Sequence, residues 1–131
     1  MQYSIIVHEH ARRDLDELWQ RDEDAAALIE VLLEDLDGDQ ALLDSLTIHK
    51  YERKQDPRFE VSKWFEQWNQ RRDLWRLRPF YEPGDGPPYR VIYAYVPARR
   101  QYAVLAIAPR EFDYDASHPL ARRIIADYGD L

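Results

Sequence analysis

The segment Leu74–Tyr81 reads LWRLRPFY. On an extended strand, residues i and i+2 point to one face. Arg76 and Arg78 then project together, while Trp75 and Leu77 turn toward a core. Arg90 opens a second apolar run, Tyr89–Val96 (YRVIYAYV), and Arg110 follows a third, Gln101–Ala108 (QYAVLAIA). Neighbouring strands would gather these four guanidiniums in one place. Arginine stays charged, and its planar fork of donors suits phosphate oxygens. The chemistry expected is anion binding; without a ligand, the same residues read as solvated or ion-paired surface. Tyr114 follows Arg110 by four residues. Nearby positive charge favours a phenolate, so its pKa is expected to fall, fitting it as a general base or a hydrogen-bonding positioner. Tyr93 and Tyr95 compete for that role, and Glu111, Asp113 and Asp115 are the conventional carboxylate alternatives.

The remaining polar candidates are weaker. Lys50 and Lys54, with Arg53, form a basic cluster after His49, which reads as a secondary acid or base. His8 and His10 stand at the spacing of two metal ligands, but no third ligand follows at a matching spacing, so no metal is expected. There is no Walker loop, GxGxxG, GxSxG or HExxH, which removes motif support for nucleotide binding, serine hydrolysis and zinc proteolysis. No cofactor is expected.

The elements that must position these residues follow from periodicity. Gln2–His8 (QYSIIVH) reads as a strand. Glu9–Gln20 carries Ala11, Leu15, Leu18 and Trp19 at helical spacing, and Ala25–Leu36 repeats the pattern, with Gly38 as its cap. Gln40–Leu46 reads as a short helix or turn, Thr47–Lys54 as strand or loop, and Asp56-Pro57 as a break. In Phe59–Asn69 the spacing of Val61, Trp64, Phe65 and Trp68 favours a helix, and those aromatics read as core. Glu82–Pro88 (EPGDGPP) is a turn, Pro97–Arg100 a hairpin connection and Pro109–Asp115 a loop. Ser117 caps a last helix with Pro119 just inside it, His118 in its cap region and Gly129 as its stop. The expected fold is α+β: a small antiparallel sheet with an N-terminal strand, a helical hairpin, three C-terminal strands and a terminal helix. One domain of 131 residues is expected, with an irregular insert at about 39–73.

Charge is divided along the chain. The net charge is −7, yet residues 1–45 hold 13 acidic and 3 basic side chains, net −10, while residues 50–110 hold 13 basic and 7 acidic, net +6. A phosphate responds to the local field rather than the total. With 13% aromatics the chain can build a core. It has no cysteine, which excludes disulfides, thiolate metal sites and thiol nucleophiles. The apolar stretch near the N-terminus is too short for a signal peptide or membrane span, so a cytoplasmic protein is expected.

The segments LWRLR, YRVIYAY and AVLAIAPRE through Tyr114, together with the N-terminal strand and HARRDLDEL, resemble the RelE/ParE superfamily of type II toxin–antitoxin toxins. The likeness covers roughly residues 2–38 and 74–128. It implies a RelE-like, metal-independent endoribonuclease that cuts mRNA on the ribosome by attack of a ribose 2′-OH, and so inhibits translation. In that mapping Arg90 and Arg110 stabilise charge on the phosphate, and Tyr114 orients or deprotonates the 2′-OH. Arg76 and Arg78, with Lys50 and Lys54, bind RNA. Arginine stands where lysine is typical, and it cannot serve as a base. The implied partners are a cognate antitoxin, with a toxin–antitoxin hetero-oligomer, and mRNA on the ribosome. The same superfamily also admits a ParE-like inhibitor of DNA gyrase, or a non-catalytic binding module.

Overall fold

A computed structural model of the chain describes residues 2–47, 59–79, 88–109 and 111–131. The chain runs β1 (Ser4–Val7), α1 (Glu9–Arg21), α2 (Glu23–Asp37), α3 (Gln40–Ser45), β2 (Phe59–Lys63), α4 (Phe65–Trp68), β3 (Leu74–Pro79), β4 (Tyr89–Val96), β5 (Gln101–Pro109) and α5 (Pro119–Gly129). The class is α+β. Five strands form one sheet in the order β1-β5-β4-β3-β2. Strands β2 to β5 are mutually antiparallel, but β1 runs parallel to β5, pairing Ser4 with Gln101 through Val7 with Val104. The sheet is therefore mixed, not antiparallel as expected. A four-residue strand encodes burial, not direction, and the chain between β1 and β5 is long enough for the crossover that parallel pairing requires.

Each face of the sheet is covered. Trp75, Leu77, Val91, Tyr93, Tyr102 and Val104 point to one side and pack with Leu15, Leu18, Ile29 and Leu36 of the helical hairpin. Leu74, Ile92, Ala94, Ala103, Ala106 and Ala108 point to the other and pack with Ala121 and Ile124 of α5. The alternation in β3 and β4 is the two-residue period of a strand. In β5 it breaks once. The register slips at Ile92/Tyr93, opposite Leu105 and Ala106, and those two neighbours both face α5. This is the signature of a β-bulge. The small alanines on that face let α5 sit close to the sheet.

The stretch 39–73 contributes ordered elements. Phe59–Lys63 is a strand, contrary to the helix expected there, and only Phe65–Trp68 forms a helical turn. Phe59 and Val61 bury against the hairpin side, Trp64 crosses to the α5 side, and Phe65 is exposed. The aromatic spacing mimicked a helix because strand and turn meet at Trp64. The segment 48–58, with its expected strand or loop and its Asp-Pro break, and the turn at 82–87 lie outside the described residues.

All the helices but the single turn α4 start on side-chain caps. The ring Nδ1 of His8 accepts the His10 amide, Asp22 accepts the Ala25 amide, and Asp39 accepts the Leu42 amide. The cap of α5 is His118, whose Nδ1 accepts the Leu120 amide, with Pro119 at the first helical position. Ser117, expected in that role, instead donates to Asp115. Asp115 already turns the loop there, so its carboxylate captures the hydroxyl. Gly38 caps α2 in a right-handed conformation, and Gly129 is the last residue of α5. Among the described residues, no helix is long and apolar enough to cross a membrane.

Candidate anion-binding cleft

The strand register builds the cleft. Glu60 stands opposite Arg78, and Ser62 opposite Arg76. Arg76 in turn faces Ile92, and Arg90 faces Ala108. One step beyond the Leu77–Val91 pair, the antiparallel register aligns Arg78 with Arg90. Glu60, Arg78, Arg90 and Ala108 thus form one row across four strands, and Ser62, Arg76, Ile92 and Ala106 form the next. Helix α5 covers the alanine and isoleucine end of these rows. The polar end stays open as a cleft of about 260 Å³, lined by Glu60, Ser62, Arg76, Arg78, Arg90, Pro109 and Tyr114. This volume is below the roughly 300–1,000 Å³ of a typical small-molecule pocket, and polar groups dominate the lining. It suits a compact, charged group such as a phosphate with its sugar.

Individual contacts fix the walls. Arg76 Nε donates to Ser62 Oγ at 2.7 Å, and its guanidinium carbon lies 4.8 Å from the centroid of the Tyr114 ring. A cation at that distance over an aromatic face is attracted to it. Arg90 donates to the Tyr89 carbonyl at 3.0 Å. Tyr114 is wedged beside Trp64 and Phe112, with ring centroids 5.3 and 4.7 Å away. Its backbone is left-handed, φ 64°. A bulky residue rarely adopts that conformation unless its surroundings hold it there.

The electrostatics of Tyr114 correct the sequence expectation. Burial raises its pKa above the ordinary tyrosine value; Arg76 and Arg90 oppose this without overcoming it. Tyr114 is thus a neutral phenol at physiological pH. It can donate a proton or a hydrogen bond, but it is not preformed as a phenolate base. The two arginines act against desolvation of a ring packed on Trp64, a cost that reading charges alone omits.

The structure brings Arg76, Arg78, Arg90 and Tyr114 to one cleft, as their spacing suggested. Arg110, Lys50, Lys54 and His49 lie outside the described residues. Tyr93 and Tyr95 are on the opposite, hairpin side: Tyr93 donates to the Leu46 carbonyl at 2.6 Å, and Tyr95 bonds Tyr3. Asp113 and Asp115 are engaged in loop turns, and Glu111 is exposed; none of the three lines the cleft. The carboxylate that does is Glu60. Sequence reading missed it, with Ser62, because β2 was read as helix. The alternation of Phe59 and Val61 with Glu60 and Ser62 was the available signal.

The acidic helices are separated from this site. Helices α1 to α3 pack on the face opposite the cleft. None of their acidic side chains lines the cleft, and salt screens exposed charges beyond about 8 Å at physiological strength. An acidic chain can therefore present a locally basic cleft.

Among known proteins, no family model, no curated protein and no solved structure matches the chain.

Proposed function

We propose that the chain is a RelE-like toxin, an endoribonuclease whose cleft grips a phosphodiester of mRNA on the ribosome. The observation that carries this reading is the convergence of Arg76, Arg78 and Arg90 with Glu60 and Tyr114 around one small cleft. Three fixed positive charges suit the extra negative charge that a phosphorane-like transition state gathers on its oxygens. Glu60 is the group with the chemistry of a general base, and Tyr114, neutral at physiological pH, that of an acid. In the step these roles describe, the ribose 2′-oxygen bonds to phosphorus as its proton passes to the Glu60 carboxylate. The bond from phosphorus to the 5′-oxygen breaks, and that oxygen takes a proton from Tyr114. The products are a 2′,3′-cyclic phosphate and a free 5′-hydroxyl.

The element order supports the same reading. A strand, a helical hairpin, an antiparallel meander and a terminal helix are what the resemblance to RelE/ParE toxins implies. An antitoxin partner would neutralise such a site by covering the cleft.

The test is cleavage of a defined message in a purified translation system, with 5′ ends mapped by primer extension. Wild type is run beside Arg76→Ala and Arg90→Ala, each checked for native folding. Ribosome-dependent cuts that disappear in both variants are expected. Uncut translation with folded wild type overturns the nuclease reading.

A further inference from the structure

His8 and His10 are joined by a group that their own neighbourhood in the chain does not contain. Asp127, in the last turns of α5, reaches the β1–α1 junction. Its Oδ2 lies 2.7 Å from His10 Nδ1 and 3.7 Å from His8 Nδ1. The two imidazole rings lean together, centroids 5.0 Å apart. Each of the three side chains offers a donor atom within 4.8 Å of the other two. The Asp127 side chain is 8% exposed, while those of His8 and His10 are 25% and 37% exposed. A buried carboxylate is thus faced by two imidazoles that remain open to solvent.

We infer that His8, His10 and Asp127 form a three-ligand site for a divalent transition metal of the zinc class, which would pin α5 to the β1–α1 junction. Two imidazole nitrogens and one carboxylate are donors that zinc, cobalt and nickel accept, whereas magnesium and calcium prefer oxygen alone. A tetrahedral ion with bonds of about 2.0–2.1 Å needs its ligands about 3.3 Å apart. The widest edge therefore has about 1.5 Å to close, which side-chain rotation of a half-exposed imidazole can supply. Three protein ligands leave a fourth position for water, reached from the histidine side.

Two present contacts would be exchanged. Asp127 would release its hydrogen bond with His10, and the metal would take the His8 Nδ1 lone pair from the His10 amide. A neutral imidazole has one free lone pair, so Nδ1 cannot serve the cap and the metal together. The site shares no residue with the arginine cleft.

The experiment uses metal-free full-length protein, titrated with Zn²⁺ by calorimetry and with Co²⁺ by visible absorption. One ion per chain is expected, with a rise in Tm under Zn²⁺ and none under Mg²⁺. His10→Gln and Asp127→Asn should each weaken Zn²⁺ binding at least tenfold. His8→Ser should do the same while keeping a good helix cap, so lost binding there is not lost folding. Binding that persists unchanged in folded His8→Ser and His10→Gln, or no saturable binding at micromolar to millimolar Zn²⁺, overturns the site.

Discussion

Replacing Asp14 with alanine should cost the chain about 2–4 kcal/mol, because one carboxylate closes the open edge of β5. Pairing with β1 ends at Val104, and His8 N closes that stretch by donating to the Val104 carbonyl. Beyond it, no described strand covers β5 on that side. Asp14 Oδ2 accepts the Ile107 amide at 3.1 Å. Arg123 donates to Asp14 at 3.0 and 2.6 Å, and to the Leu105 carbonyl at 3.2 Å. The edge groups beside the bulge are thus satisfied by one side chain from α1 and one from α5. Orphaning the Ile107 amide costs about 1–3 kcal/mol. Breaking a fully buried ion pair costs about 3–5 kcal/mol, but these side chains are 17% and 27% exposed. About 1 kcal/mol is the appropriate share, given how little exposed pairs contribute, and with the orphaned amide this gives about 2–4 kcal/mol.

For a chain of this size, 2–4 kcal/mol lowers Tm by roughly 8–15 °C. The assay is chemical denaturation of wild type, Asp14→Ala, Asp14→Asn, Arg123→Ala and the Asp14→Ala/Arg123→Ala double variant. Asp14→Asn keeps an acceptor for the Ile107 amide, so it should lose only about half as much, by the same division. The double variant should be less destabilised than the sum of the singles by about 1 kcal/mol or more. An Asp14→Ala variant within about 0.5 kcal/mol of wild type, the range of ordinary surface substitutions, would refute the account. So would strict additivity, since the two side chains would then not act as one clamp.

Two further outcomes follow from the described chemistry. Burial pushes the Tyr102 phenol up to about 12, and it raises that of Tyr93 well above the ordinary tyrosine value. A folded pKa above the unfolded one contributes stability that is complete below about pH 10 and is lost as pH rises through the folded value. The denaturant midpoint should therefore show no tyrosine-linked loss up to about pH 9 and should fall between about pH 10 and 12; Tyr102→Phe should make that fall shallower, and an equally steep fall would exclude Tyr102 as its source. In the cleft, Glu60→Gln removes a negative charge beside three arginines and should tighten binding of an uncleavable RNA several-fold while slowing cleavage by about 10²–10⁴; unaltered cleavage would remove Glu60 from the role of base.

How much of the site was legible depended on what kind of signal carried each residue. Arg76, Arg78 and Arg90 sit on strands whose alternation is plain in LWRLR and YRVIYAY, and periodicity put them on one face. The direction of β1 was not legible, because SIIV satisfies the same burial rule whether it pairs parallel or antiparallel with β5. Strand β2 was concealed by Trp64, Phe65 and Trp68, which carry a helical period across a strand-to-turn boundary. Its misreading removed Glu60 and Ser62 from view, since they belong to the cleft only through pairing with β3.

Tyr114 and Asp127 show the deeper limit. Local charge was read correctly around Tyr114, for Arg76 and Arg90 do press its pKa downward. The opposing effect is burial by Trp64, 50 residues earlier, and by Phe112. Asp127 meets His10 across 117 positions, so no spacing rule within β1–α1 could have supplied a third ligand. In both places the neighbours that set the chemistry arrive through tertiary packing. The chemistry of a buried group is therefore legible from sequence only as far as its covering residues are known, and in this fold the covering of the α5 face is assembled from α5 and the segments just after β2 and β5.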